Sequence, residues 1–458
     1  MAAAGDAPAY LVTPKPPIVQ DELAHIGAGL RFARSPTGFL AELRAEYGDT
    51  FLVDVFGYKL FCVFSPAGLC SLYAAEERDA SFGMATFDML GFKTPIEVML
   101  DADIALFYEL LQPPRVAAGL HTIAEGIAEV LEDWKQLDTL DVFDAVRTLQ
   151  QRVGFRLWIG PEAARDGEWQ AFKACFDVLS QENAFVSPQQ TLETLMSNKA
   201  AEKQAVSEFT QRLGAIVEQR DAAGAWPDDN LSFLHARFRS ETPELTLRKL
   251  AHNVINANQG FLSNLYAALG WTLVNLQSHP DSLRRLHAEL DSTRARYGEQ
   301  FYTSQTALDS MPFCEQLLME SVRFAQRSLT LRKVMREMAF TVEDQVYTLA
   351  PGVYIATMLS VTNVDSPELA RFDPDHYVGR RINPALIGKG RETVSTFGHG
   401  THACPAQKFS HNMCKVLLAQ LYARFQLGAP AAAAAPSDTQ MGGVARPAEP
   451  VRLAIRAR

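Results

Sequence analysis

From about residue 103 to about residue 290, apolar residues recur mainly at intervals of three and four, the spacing that lines one face of an α-helix. Proline, glycine and short polar residues break the run at "IGPEA", "VSPQQ", "AAGAWPDD" and "SETPE", so the spacing predicts several helices in succession. Ahead of them, "TFLVDVFGYKLFCVF" alternates and is rich in β-formers, which predicts a hairpin about Gly57-Tyr58. A short helix is expected at about 36–46, after a proline-bearing, partly ordered segment over residues 1–30 that contains "TPKPPIVQ". Strand character returns in "SLTLRKVMREMAFTVEDQVYTLAPGVYIA", with a turn at Pro351 and Gly352, and again in the C-terminal "VRLAIRAR". The alanine run at 431–435, between Pro430 and Pro436, reads as a surface connection or a short helical remnant. No internal repeat is present, and the pattern reads as one continuous, mostly helical body.

The 458 residues exceed an average domain about threefold, and a 47% apolar content allows a large core without disulfide or metal staples. A net charge of −10 and a pI near 5.6 argue against a nucleic-acid surface, which carries a basic excess. No apolar run reaches eighteen residues, so no transmembrane anchor is expected, and "MAAAGDAPAY" lacks the regions of a signal peptide. A soluble, cytoplasmic chain follows. Cys62, Cys70, Cys175, Cys314, Cys404 and Cys414 form no paired framework, as expected of reduced thiols.

Cys404 stands apart, in "FGHGTHACPAQ", just ahead of a helical pattern with Phe409, Met413, Leu417, Leu421 and Phe425 on one stripe. Pro405 suits a first helical position, and a thiol at a helix start is expected to have a lowered pKa. Gly398 and Gly400 would let the loop approach a flat ligand, and Phe397 would cover the sulfur. Three roles compete: a nucleophile with His399 or His402 as base, a zinc site drawn from His399, His402, Cys404, His411 and Cys414, and a haem-thiolate ligand.

"FGHGTHACPA" resembles the cysteine loop of the cytochrome P450 superfamily, F-x-x-G-x-[RH]-x-C-x-[GA], with Phe397, Gly400, His402, Cys404 and Ala406 on its marked positions. Upstream, "FCEQLLMESVRF" is similar to the family's ExxR helix through Glu320 and Arg323. "RFDPDHY" is similar to its F-x-P-x-R-[FY] segment through Phe372, Pro374 and Tyr377, with His376 in place of arginine. Arg332 falls where the family puts a cation for a haem propionate, and "NVINANQGFLSNLYAALGWTLVNLQSHP" resembles the long helix that crosses the haem, its register set by Trp271 and Pro280. The resemblance runs from about residue 30 to the end. It implies a cytochrome P450 fold, mainly α with a small β-rich lobe, as a single domain over residues 1–458. It also implies haem b (iron protoporphyrin IX) ligated by Cys404, with Phe397, Gly400, His402, Ala406 and Arg332 around it.

In that register Gly260 and Phe261 take the family's alanine-glycine positions, Ser263 the acidic position and Asn264 the threonine position, so the acid-alcohol pair is missing. Asn253, Asn256, Gln259 and Ser263 form a polar stripe, read either as satisfied buried groups or as site residues. Ser263 and Asn264 are the candidate catalytic residues. No aromatic-x-x-x-arginine propionate clamp is found in "DADIALFYELLQPPR", where Arg115 is the candidate. By family position the substrate pocket takes Phe87, Met89, Phe92, Phe185, Gly260, Phe261, Leu329, Leu331 and Met441. The leading reading is a haem-thiolate monooxygenase acting with O2 on a hydrophobic small molecule: a sterol or steroid, a terpenoid or a fatty-acid-like compound. A peroxide isomerase or peroxygenase needing no reductant, and a haem-containing ligand-binding protein without turnover, stay open. The residues after the cysteine helix are too few for another domain, so electrons are expected from an external ferredoxin- or flavodoxin-type donor. Lys389, Arg391, Lys408 and Lys415 would form its basic docking patch or an ordinary solvated surface.

Overall fold

The alternation at residues 50–63 forms the expected hairpin: β1 (Thr50–Val55) pairs antiparallel with β2 (Tyr58–Val63), Thr50 opposite Val63 and Val55 opposite Tyr58. The turn lies one residue earlier than expected, at Phe56 and Gly57, whose φ values of 52° and 86° match a two-residue turn that follows strand twist. The computed structural model describes residues 11–20, 23, 26–90, 94–165, 167–179, 196–378 and 395–458, with the backbone alone at 87, 89, 90, 262 and 401.

The hairpin belongs to a five-stranded sheet completed by β3 (Ala80–Ser81), β4 (Leu329–Val334) and β5 (Tyr354–Met358), in the order β1-β2-β5-β4-β3. Only β2 and β5 run parallel. Side chains alternate across a strand, so β4 sends Leu331 into the apolar layer with Leu60, Tyr354 and Ala356, and turns Thr330 and Arg332 to its other face. Two three-stranded sheets lie apart from it: Val12–Thr13, Gln345–Leu349 and Met338–Val342 make one, and Phe425–Leu427, Arg452–Ala457 and Thr139–Asp141 the other.

The helical body is organised on the helix Pro243–Ser278, here the distal helix. The Thr242 side chain accepts from Leu245 N–H and Pro243 opens the first turn, two features that start a helix cleanly. Its 36 residues span ~54 Å at 1.5 Å per residue, enough to cross the molecule. It packs along the helix Val142–Trp158 through two glycine notches. A Cβ on Gly270 would stand 2.8 Å from the Phe143 ring, and one on Gly154 3.0 Å from the Phe261 ring, so a side chain at either position would push the helices apart. Among the described residues, no helix is long and apolar enough to cross a membrane.

The helix after Cys404 runs from Gln407 to Arg424, so Pro405 lies ahead of it rather than at its first position. The expected one-sided stripe is also exceeded: every residue from Phe409 to Tyr422 is buried. Several of its polar side chains are bonded inside the protein. Asn412 Nδ2 donates to Gln305 at 2.7 Å, Gln420 Nε2 to Ala124 O at 2.8 Å, and Lys415 Nζ to Leu308 O and Glu315 Oε1 at 2.6 Å each. Lys415 is thus a buried tether, which removes it from any docking patch. Lys408 pairs with Asp309 at the surface, while Lys389 and Arg391 lie outside the described residues.

Burial alone would raise the Glu315 carboxyl, but the His411 ring and the Lys415 ammonium hold it down at about 2, against an ordinary 4.5. A depressed carboxylate stabilises the fold above its unfolded pKa and loses that contribution as pH falls toward the folded value. Acid titration should therefore show stability falling between about pH 4.5 and 2, with that limb flattened in Glu315→Gln. In urea melts at neutral pH, Lys415→Ala should cost about 3–5 kcal/mol and Lys408→Ala about 1 or less. Equal losses would mean that the two lysines are equivalent surface groups.

Candidate functional site

The cysteine loop is shaped by its backbone. Gly398 has φ +70° and sits so close to the returning chain that a Cβ there would stand 2.5 Å from His402 O. The return is closed by Cys404 N–H, which donates to Phe397 O at 2.6 Å. Cys404 thereby reaches a cavity of about 700 Å3, also lined by Gly260, Ser263 and Asn264 of the distal helix, by Leu329 and Arg332 of β4, and by Met441. Phe397 lines it as well and sets its ring edge-on to His411.

Burial pushes the Cys404 thiol above its ordinary range, and a hydrogen bond from the Ala406 backbone only partly opposes this. Burial thus outweighs the lowering expected of a thiol at a helix start, and the helix itself begins three residues later, at Gln407. A thiolate here needs a positive partner at the sulfur itself, and a metal ion meets that need.

Arg332 is wholly buried, yet none of its three guanidinium nitrogens has a hydrogen-bond partner; the Phe82 ring lies 5.5 Å away and the Glu77 carboxylate acts on it only at a distance. An arginine is costly to bury unpaired, so a cavity-lining guanidinium with free donors marks the place of an anion. His402 Nε2 is likewise without a hydrogen bond, although Glu77 Oε2 lies 3.5 Å away. Burial lowers the His402 pKa, Arg332 lowers it further and Glu77 opposes both. A flat apolar cofactor with a metal centre and anionic carboxylates fits these residues: thiol on one side, small and apolar residues around, guanidinium and imidazole donors at the edge. Haem b has that chemistry.

The loop is held from below by a buried polar network. Arg323 and Glu320 meet in a two-point pair, Nε to Oε2 at 2.7 Å and Nη2 to Oε1 at 2.6 Å, with both side chains at 0% exposure. Arg323 also donates to Asn363 O and Leu369 O at 2.6 Å and to Arg371 O at 2.9 Å. Glu320 accepts from Asp373 N–H at 2.8 Å, and His376 Nδ1 lies 3.1 Å from Glu320 Oε1. His376 therefore occupies the third place in the network. Asn363 carries the network onward: its Oδ1 accepts from Ser395 N–H at 2.8 Å and its Nδ2 donates to Ser395 O at 2.9 Å, two residues before Phe397. Tyr73 adds a hydroxyl bond to Ser395 Oγ at 3.1 Å. Sequence reasoning missed Asn363 and Tyr73, since nothing in "LSVTNVD" or "SLYAAE" separates a buried bracket from an ordinary loop or helix residue.

Across the cavity Ser263 is half-buried, and Asn264 Oδ1 accepts from Val444 N–H at 2.9 Å. Gly260 and Phe261 line the cavity, and the Phe261 ring also packs on Phe409, 5.0 Å between centroids, and on Trp158. Leu329 and Met441 face the cavity as expected. Leu331 does not: it packs in the layer under the sheet with Leu60, Tyr354 and Ala356. Phe92 and Phe185, and the side chains of Phe87 and Met89, lie outside the described residues. Arg115 is not a propionate clamp, for its guanidinium stacks 3.4 Å over the Phe233 ring.

The family model described as "Cytochrome P450" matches residues 165–455. "Cytochrome P450 7B1" of Mus musculus is similar over 444 residues at 23% identity, 90% of this chain and 84% of that protein. "25-hydroxycholesterol 7-alpha-hydroxylase" of Rattus norvegicus is 24% identical, covering 72% of this chain and 82% of its own length. "Cyclooctat-9-en-7-ol 5-monooxygenase" of Streptomyces melanosporofaciens is 24% identical over 69% of each. Among solved structures, "Retinoic acid bound cyanobacterial CYP120A1" shares the fold at a TM-score of 0.75, over 97% of this chain and 99% of that chain, with 16% identity.

Removing one member of a buried ion pair strands the other, at about 3–5 kcal/mol. Arg323→Ala should therefore yield little folded, haem-loaded protein. Asn363→Ala leaves two Ser395 backbone groups unpaired and should cost about 1–3 kcal/mol. Haem content per chain and the melting temperature check both, and an Arg323→Ala protein that melts like the parent would rule out a buried structural pair.

Proposed function

The chain belongs to the cytochrome P450 family, and from that premise we propose that residues 1–458 act as one domain that oxidises a hydrophobic small molecule, of sterol, steroid or terpenoid kind, with electrons from a ferredoxin- or flavodoxin-type protein. Haem b as cofactor, O2 as oxidant and monooxygenation as reaction class come with the family. The proposed setting is the cytoplasm. The single observation that carries the assignment of roles is the opposition across one cavity of the Cys404 thiol and the polar positions of the distal helix, with the unpartnered Arg332 guanidinium at the edge.

In this reading the Cys404 thiolate would bind the haem iron, and Phe397, Gly400 and Ala406 shape the loop that would present it. Arg332 and His402 hold the two propionates, which supplies the anions that their free donors lack. When bound, the haem supplies oxygen activation, and a thiolate ligand favours O–O cleavage by pushing electron density toward the iron. The remaining steps fall to the chain. Leu329, Phe261 and Met441 exclude water from the cavity and receive an apolar body. The Ser263 hydroxyl and the Asn264 carboxamide hold polar hydrogens at the distal wall. Neither is an acid at neutral pH, so protons pass by water held between them or by a hydroxyl of the substrate.

Two relatives have names that specify ring alcohols, 25-hydroxycholesterol and cyclooctat-9-en-7-ol, which supports a sterol- or terpenoid-like substrate over a fatty-acid-like one. The test is incubation with a panel of these compounds, a ferredoxin and its reductase under 18O2. Incorporation of one labelled oxygen is expected. Conversion of a hydroperoxide without reductant, and none under the reductase system, would instead establish an isomerase or peroxygenase.

The ferrous protein with carbon monoxide should show the thiolate-type Soret band, and Cys404→Ala should abolish it. Arg332→Leu should bind haem about 10–100-fold more weakly, the equivalent of losing a charge-assisted hydrogen bond, measured as haem transfer to apomyoglobin. Unchanged transfer would place the propionates elsewhere.

A further inference from the structure

The amides of the distal helix that line the cavity are locked in known senses. Asn256 Nδ2 donates to Val98 O at 2.9 Å. Gln259 Nε2 donates to Thr94 Oγ1 at 2.6 Å and to Leu179 O at 3.4 Å. A carbonyl oxygen can only accept, so the NH2 group of each amide must be the end turned to the backbone. That leaves Asn256 Oδ1 and Gln259 Oε1 without partners among the described residues, on side chains that line the cavity. At Asn264 the sense is reversed. Val444 N–H can only donate, so Oδ1 is the engaged atom and Nδ2 is the free one.

The wall therefore presents two acceptors at 256 and 259 and a donor at 264, ~7 to 12 Å further along at 1.5 Å per residue. Turning either amide end for end would set its oxygen against a carbonyl oxygen, that of Val98 for Asn256 and that of Leu179 for Gln259. Leu329, Phe261 and Met441 add apolar surface to the same cavity.

We propose that this end of the cavity is a hydroxyl-recognition subsite: Asn256 and Gln259 accept a hydrogen bond from an alcohol at one end of an otherwise apolar substrate, and so fix which way round it lies. The proposal rests on the oxygenase reading of the cavity and adds to it the group recognised and the residues that recognise it. An ether, ester or ketone at that place offers only lone pairs to two carbonyl oxygens. A subsite built from acceptors rejects such groups, because its own polar atoms stay unpaired in a desolvated pocket.

The experiment compares matched sets on the haem-loaded protein: cholesterol, its 3-methyl ether and 5-cholestene, and farnesol, its methyl ether and its hydrocarbon. Dissociation constants come from the haem absorbance shift and from tryptophan fluorescence. In at least one set the alcohol should bind about tenfold more tightly than its ether, and the ether no better than the hydrocarbon. Gln259→Met and Asn256→Leu, tested singly, should bring alcohol and ether to within about twofold, with hydrocarbon affinity kept. If both variants fail to load haem, the parent's alcohol-to-ether ratio decides alone. Equal binding of alcohol and ether in every set, or no binding of either alcohol, overturns the subsite. Reductase-driven oxidation of the same compounds is measured in parallel. Oxidation without alcohol preference sinks the subsite and leaves the oxygenase standing, while alcohol preference without oxidation does the reverse.

Discussion

The Arg323–Glu320 pair is the constraint on which the site depends. Two charges with no solvent contact stay ionised together only if every donor and acceptor on them is used. Arg323 meets this with Glu320 and three backbone carbonyls, and Glu320 with Arg323, the Asp373 amide and His376. Those backbone partners lie at residues 363, 369, 371 and 373, so satisfying one side chain folds a whole meandering segment against the helix Pro312–Ala325. Asn363 then fixes Ser395 through both of its polar atoms, and from there the chain runs directly into the cysteine loop. The position of the sulfur follows from charge satisfaction some distance beneath it.

The cavity shows the opposite arrangement. Arg332 is buried with its donors free, and burial pushes the Cys404 thiol above its ordinary range. Each is unfavourable alone, and each is relieved by the same ligand, an anion for one and a metal cation for the other. A protein that leaves these two groups unsatisfied stores part of its folding free energy in the cofactor, as metal-dependent domains do. The network below the loop is complete without haem, so the chain separates the task of placing the sulfur from the task of charging it.

Much of this was legible in the sequence. The hairpin, the succession of helices, the cysteine loop, Glu320 and Arg323 rest on short-range patterns, and these survive folding because they are local. What was not legible depended on partners distant in sequence. Lys415 looked like surface charge, yet Glu315 and Leu308 bury it. Leu331 looked like pocket lining, yet it is buried with Leu60, Tyr354 and Ala356, partners that lie far from it in sequence. Cys404 was expected to be acidic from its place before a helix, and its burial, set by distant parts of the chain, works the other way. The amides at 253, 256 and 259 were visible as a stripe, but they bond to groups at residues 94, 98 and 103, which no spacing identifies.

Asn264 shows why a departure from a family pattern is not read one residue at a time. A Cβ on Gly443 would stand 1.9 Å from Asn264 Oδ1, so the carboxamide fits only because residue 443 is glycine, with φ +62°. Gly443 N–H in turn donates to Ser328 Oγ at 3.1 Å, and its carbonyl accepts from Arg327 N–H at 2.8 Å. Distal helix, C-terminal loop and the start of β4 thus meet at one amide, which closes a corner of the cavity that a threonine at 264 could not bridge in the same way. Substituting Asn264 alone would release the loop as well as remove the polar group, so a loss of turnover would not separate chemistry from pocket shape. Aspartate keeps an oxygen for Val444 N–H and changes only the free end, which makes the contrast between Asn264→Asp and Asn264→Leu the one that assigns the residue to the reaction or to the wall.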